Sequence, residues 1–330
     1  MKKKLIAMTM LATLLVTSLV ACGSKEKGET TGSANKKYQV GVCQLVQHPA
    51  LDQATKGFED ALKEKLGDDV DIDEQNAAND SATCSTICNG FATGGKDLIF
   101  ANATPALVAA TQASDSIPIV GTSITDYATA LQMSDWNGTT GINVTGTSDL
   151  APLEEQADMI KELFPDAKKV GILYCSAEAN SAYQSKVVTK ALKDMGLEVT
   201  EYTFADSNDV SAVTTTACDA SDVIYIPTDN TAASCTETIN SVALQKKMPI
   251  ICGEEGICAG CGVATLSISY YDIGYRAGEM AYEILVNGAD PASMEIEFAK
   301  DLTKKYNADI CEKLGIEIPD DYEAIEVSED

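Results

Sequence analysis

The chain has 330 residues, 45% hydrophobic and 22% charged, with 24 Lys and Arg against 50 Asp and Glu and a formal net charge of -26. Such an acidic balance excludes nucleic acid as a partner, because phosphate binding needs clustered basic side chains and counterion release. The lone histidine, His48, excludes chemistry that needs two, and the length suits one large or two modest globular domains.

Lys2, Lys3 and Lys4 open the chain, and an apolar run follows from Leu5 to Val20. A basic start before a short apolar core is the pattern of a secretory signal. The run is too short, and too soon followed by polar sequence, for a membrane-spanning helix. Leu19-Val20-Ala21-Cys22 resembles the lipobox of bacterial lipoproteins, in which the cysteine is acylated and becomes the new N-terminus. Residues 1–22 are thus expected to be a signal peptide ending at a lipid-modified (palmitate-type) Cys22. The alternative is an ordinary signal peptide with an incidental cysteine. Residues 23–37 lack large apolar side chains and are expected to form a flexible linker.

From residue 38 onward, short β-branched runs alternate with helical patterns. Strands are expected at 38–45, 70–74, 97–101 and 117–120, then at 169–174, 197–204, 222–226, 249–252 and 262–266. Helices are expected at 49–66, from Thr104-Pro105 onward, and at 150–164, 181–195, 230–246, 273–286 and 308–314. The stretch 134–148, rich in Gly, Thr and Asn, reads as a pause. Strand–helix repetition on both sides of it predicts an α/β protein with two Rossmann-like lobes and parallel sheets. The expected lobes are 38–147 plus 272–290 and 148–271 plus 291–330, joined by three crossings. Ligands of such sheets sit at the carboxyl ends of the strands.

That organisation, together with the lipobox, resembles the substrate-binding proteins of bacterial ABC importers of the type I periplasmic-binding-protein kind. The stretches Gln47-His48-Pro49-Ala50-Leu51-Asp52, Ala103-Thr104-Pro105-Ala106, Glu178-Ala179-Asn180-Ser181, Pro227-Thr228-Asp229-Asn230-Thr231, Gly253-Glu254-Glu255 and Tyr270 to Gly278 narrow the likeness to the tryptophan/tyrosine-type lipoproteins. The resemblance covers about residues 38–320. It implies no catalysis, no cofactor, and delivery of a small solute, associated in the family with aromatic amino acids, to a membrane permease. The expected molecule is a monomer outside the cytoplasm, held to the bacterial cell membrane by its lipid.

Each quoted motif follows a predicted strand, where a cleft is built. The candidate ligand-binding residues are His48, Thr104, Thr122, Asn180, Ser181, Asp229, Asn230, Glu254 and Tyr271. Ser123 and Asp126 are weaker candidates. His48 could equally be a surface residue at a helix start. Thr104 and Asp229 could be helix caps alone. Asp229 is the preferred partner for a solute ammonium, because an ionised carboxylate makes a charge-assisted bond. One of Glu254 and Glu255 is expected to face the cleft, and one of Tyr270 and Tyr271, with Tyr271 preferred, to stack on a ligand or pack at the hinge. Arg276, the only arginine, lies within a helical pattern, so helix N-termini and hydroxyls are left to hold an acid group.

Ten further cysteines include Cys84 and Cys88 one helical turn apart and Cys258-Ala259-Gly260-Cys261 in what reads as a loop at 256–262. Packing as small buried hydrophobes is the expected use, and no metal site is assigned. The alternatives are a cysteine-based redox or metal-carrying lipoprotein, or a sensory module that presents its solute to a receptor.

Overall fold

Residues 37–326 are described by the computed structural model; the leader, Cys22 and the linker up to residue 36 lie outside them. The chain first lays down β1 (Tyr38–Gln44), α1 (Pro49–Leu66), β2 (Val70–Asn76), α2 (Ser81–Thr93), β3 (Leu98–Asn102), α3 (Thr104–Ala113), β4 (Ile119–Ile124), α4 (Tyr127–Ala130) and β5 (Val144–Ser148). A second lobe follows: α5 (Leu153–Leu163), β6 (Lys169–Cys175), α6 (Ala179–Asp194), β7 (Glu198–Phe204), α7 (Val210–Ala220), β8 (Val223–Ile226), α8 (Asn230–Ala233), α9 (Thr236–Lys246), β9 (Ile250–Cys252), α10 (Glu255–Cys261) and β10 (Ala264–Ser267). The chain returns to the first lobe through α11 (Tyr270–Asn287) and β11 (Glu297–Phe298). It then crosses back into β12 (Thr303–Tyr306), α12 (Ala308–Leu314) and β13 (Glu323–Ala324).

The first sheet runs β2–β1–β3–β4–β5–β11, with every neighbouring pair parallel. The second runs β7–β6–β8–β9–β10–β12–β13, parallel except where β12 turns back along β10. The first five strands of each sheet thus have the same order, with the reversal beside the first strand of each lobe. Central strands such as Leu98–Asn102 and Val223–Ile226 are buried along their whole length. Both faces of each sheet are covered, as continuous apolar strands require. Leu107, Cys84 and Phe91 pack on one face of the first sheet, and Phe58, Ala277 and Ala281 on the other.

Helices α1 and α11 approach through glycines. A Cβ at Gly274 would stand 2.0 Å from the Ala54 carbonyl oxygen, and one at Gly57 2.1 Å from that of Tyr271. This contact locks α11 onto the first lobe, so the chain has two lobes linked by three crossings, at 149–152, 268–269 and 299–302.

Four local expectations change. The stretch 134–148 contains β5, whose Val-Thr-Gly-Thr-Ser carries no apolar alternation but is wholly buried against β4. The expected loop at 256–262 is mostly α10, a helix capped by the Glu254 carboxylate, which accepts from the Gly256 and Ile257 N–H groups. The single helix expected at 230–246 is broken at Ser234-Cys235 into α8 and α9. Residues 291–298, placed by sequence in the second lobe, stay with the first. Glu297 and Phe298 pair with Thr147 and Ser148, and the Ile296 N–H donates to the Gly138 carbonyl (2.9 Å). A two-residue strand has no periodicity to read, so only the pairing reveals it.

Candidate binding cleft

Because the two sheets share one strand order, the same loops of each lobe converge. The first lobe contributes His48 and Leu51 after β1, Ser123 and Thr125 around the end of β4, and Asp149 after β5. The second contributes Asn180 after β6, Thr228, Asp229 and Asn230 after β8, and Glu254 after β9; Tyr270 follows β10. These residues enclose a cavity of about 10 Å³, room for no more than one water. Few polar bonds hold the lobes across it: His48 Nε2 to Asn230 Oδ1 (3.3 Å), Asn79 Nδ2 to Thr231 Oγ1 (3.0 Å) and Gln184 Nε2 to Thr125 Oγ1 (3.4 Å).

Of the residues expected from sequence, His48, Asn180, Asp229, Asn230 and Glu254 line this cavity. Ser181 stands behind it, its hydroxyl donating to Asp229 Oδ2 (2.7 Å). Thr104 is the first residue of α3 and not its cap; the cap position is Ala103, at φ +90°, which has no side-chain oxygen to offer. Thr122 is wholly buried between strands, hydroxyl to hydroxyl with Thr147 (2.9 Å), and its neighbour Ser123 takes the place on the wall. Tyr271 points away, donating to Asp60 (3.1 Å) on α1, while Tyr270 faces the cavity. One step along a helix turns a side chain by about 100°, and neighbouring tyrosines could not be told apart by motif. Glu254 faces the cleft; Glu255 pairs with Lys305 (2.8 Å) outside it. Arg276 is held by Glu297 (2.7 and 2.9 Å), away from the cavity wall.

The acids of the second lobe are largely occupied. Asp229 accepts from the N–H groups of Ala232 and Cys175 (both 2.7 Å) as well as from Ser181, so it caps α8 and ties it to β6. Glu178 accepts from the Asn230 and Thr231 N–H groups (2.9 and 2.8 Å), the Thr231 hydroxyl (2.8 Å) and the side-chain amides of Asn230 and Asn180 (2.7 and 3.2 Å). The first amides of α8 and α10 are therefore taken by protein carboxylates, and those starts are not free to bind an anion. Helices α1 and α3, in the first lobe, begin without a side-chain cap.

Burial sets the electrostatics. It pushes the Glu254 carboxyl up to about 7, against the two N–H groups it accepts from. It pushes Asp149 up to about 6, against the Tyr270 hydroxyl (2.9 Å) and the nearby Thr125 hydroxyl, which favour the charged form. Asp229 is raised by burial and then by the charge of Glu178. Burial lowers His48, favouring the neutral ring, against the neighbouring Asn230, Asp52 and Glu178. Nine buried side-chain polar atoms among the described residues lack a hydrogen-bond partner. Four belong to the cavity wall: His48 Nδ1, Ser123 Oγ, Asp149 Oδ1 and Asn180 Oδ1. Ser123 also has left-handed backbone, φ +55°, a strain found where a side chain must be aimed. Sequence reasoning missed Asp149, because β5 before it was not recognised. It assigned Glu178 no role although the motif containing it was in view.

Outside the cleft the thiols gather in the cores. Cys43 of β1 meets Cys84 and Cys88 of α2, and Cys252 of β9 meets Cys258 and Cys261 of α10; all six are buried. The C-x-x-C pair thus lies on the inward face of a helix, with both cysteines buried. No group of three or more His, Cys, Asp or Glu side chains that could hold a metal ion occurs among the described residues. No described helix is long and apolar enough to cross a membrane.

A family model described as ABC transporter substrate binding protein matches residues 39–327. A tyrosine-binding protein of Clostridioides difficile is 37% identical over 292 residues, covering 86% of this chain and 84% of its own. Among solved structures, the ABC domain from Streptococcus pneumoniae in complex with L-Trp superposes with a TM-score of 0.82 at 32% identity, covering 86% of this chain and 96% of that one. The ligand-free, open structure of a substrate-binding protein with adhesive properties from Clostridium difficile is 35% identical, with a TM-score of 0.67, covering 88% of this chain and all of that one.

Proposed function

The chain belongs to the ABC transporter substrate-binding protein family, with the type I periplasmic-binding-protein fold, and from that premise we propose that it captures an aromatic amino acid outside the cytoplasm for import. The observation that carries this reading is the cavity between the lobes, where four buried polar atoms lack protein partners. Buried polar groups that find no partner within the protein are costly, and a zwitterion supplies both donors and acceptors. The relatives whose names mention tyrosine and L-Trp point to the solute class. The acid end of the solute faces the Ser123 hydroxyl and the uncapped start of α1, whose Leu51 lines the cavity. Cys22, after Leu19-Val20-Ala21, carries the lipid that keeps the receptor beside its permease.

Thermal unfolding with each amino acid tests the solute. L-tyrosine or L-tryptophan at 100 times its dissociation constant should add about 2.7 kcal/mol, and sugars should add nothing. Stabilisation by sugars alone would overturn the reading. A cleaved Cys22→Ser chain that stays on the membrane would overturn the anchor.

A further inference from the structure

The unpartnered atoms of the cavity have a definite chemical sense. Asn230 Nδ2 donates to Glu178, so Asn230 Oδ1 is the atom that faces His48 Nε2. Nε2 must then carry the ring proton, and in the neutral imidazole Nδ1 is left as a bare acceptor. Asn180 Nδ2 donates to Glu178 Oε2, Ser181 Oγ and the Thr228 carbonyl (3.2, 3.3 and 3.0 Å), which fixes its amide and leaves Oδ1 as a second bare acceptor. Asp149 accepts from the Tyr270 hydroxyl at Oδ2, and its Oδ1, which lacks a hydrogen-bond partner, is the third. Three acceptors, one of them on a buried carboxylate, call for a group with three N–H donors and a positive charge. A neutral hydroxyl, with one O–H, could meet only one of the three acceptors and would leave the buried charge unbalanced.

We propose that Asp149, with Asn180 and His48, forms the seat of the solute's primary ammonium group, in place of Asp229, whose carboxylate is already filled by protein donors. The proposal rests on the amino-acid reading above and names the atoms that recognise it. Asp149 lies in the 149–152 crossing, and its Tyr270 partner begins α11 just past the 268–269 crossing. A solute held there ties two of the three connections between the lobes at the cavity itself.

The test compares L-tyrosine with its deaminated analogue, 3-(4-hydroxyphenyl)propionate, by calorimetric titration of the wild type and of Asp149→Asn. The wild type should prefer the amino acid by at least a hundredfold. Asp149→Asn keeps the side chain's shape and should cut that preference to less than tenfold, chiefly by weakening L-tyrosine. An undiminished preference in the variant overturns the seat while leaving the amino-acid reading intact. Equal wild-type affinity for the two compounds also overturns it, and this arm does not depend on the variant folding. If the wild type binds another primary amine and neither aromatic amino acid, the aromatic reading falls. The same comparison on that amine and its deaminated form then decides the ammonium seat.

Discussion

Asp229 and Glu254 show how one residue type serves two purposes in one cleft. Both stand at helix starts and both accept backbone N–H groups, so both are structural before they are anything else. Asp229→Asn would turn one acceptor oxygen into a donor facing Ala232, Cys175 or Ser181. A loss of about 1–3 kcal/mol of stability in chemical denaturation is expected, since a buried N–H or hydroxyl is left unmet. Glu254 makes a pH prediction. Burial raises its folded pKa to about 7 from the ordinary 4.5, so between those values the folded chain binds a proton that the unfolded chain has released. The stability this confers is complete below the unfolded value and is lost as pH rises through about 7. His48, lowered by burial, has the opposite sense, but its contribution is lost only as pH falls towards and below its ordinary 6.5. Between pH 6.5 and 8.5 the melting temperature should therefore fall, with Asp229, raised by burial, adding in the same sense, and Glu254→Gln should lessen the slope. A melting temperature that climbs across that window would exclude a buried, protonatable Glu254.

At the scale of elements, the contact that decides the architecture is α1 against α11. Gly57, Gly274 and Gly278 let the backbones meet, and a Cβ at Gly274 would be 2.0 Å from a carbonyl oxygen that cannot swing away. Gly274→Ala must therefore separate the helices, at a cost of about 1–3 kcal/mol by the usual penalty for overfilling a core. Denaturant unfolding of this variant, with Gly288→Ala as a contrast, checks it. Gly288 has open space around it but sits at φ +69°, so its penalty comes from backbone conformation without a clash. The shift of 291–298 into the first lobe belongs to this scale too. An edge strand of two residues is held by the pairing of its backbone with β5 and leaves no mark on the hydrophobic pattern.

For the whole molecule, the cavity of about 10 Å³ means that an amino acid enters only when the lobes part. The crossings allow bending without disturbing either core, and the bonds between the facing loops are few. The TM-score is higher against the L-Trp complex than against the open, ligand-free relative, although the latter is slightly more identical. Small-angle scattering should show a smaller radius of gyration with saturating L-tyrosine than without solute. Superimposable curves at saturation would count against a hinged trap.

Alternation of β-branched runs with helical patterns was enough to determine two α/β lobes, and the motifs after the strands brought His48, Asn180, Asp229, Asn230 and Glu254 around one cavity. Those signals are local, and strand-end position converts directly into cleft position in a parallel sheet. Tertiary structure alone decided the rest. Whether an acid is free or filled depends on donors far along the chain: the Cys175 N–H and Ser181 hydroxyl fill Asp229, and Asn230 and Thr231 fill Glu178. Asp149 keeps one oxygen without a hydrogen-bond partner, while Tyr270, 121 residues away, donates to the other. Spacing along a chain records which residues neighbour one another in an element, and it carries no record of the hydrogen bonds that distant loops spend on each other when they meet.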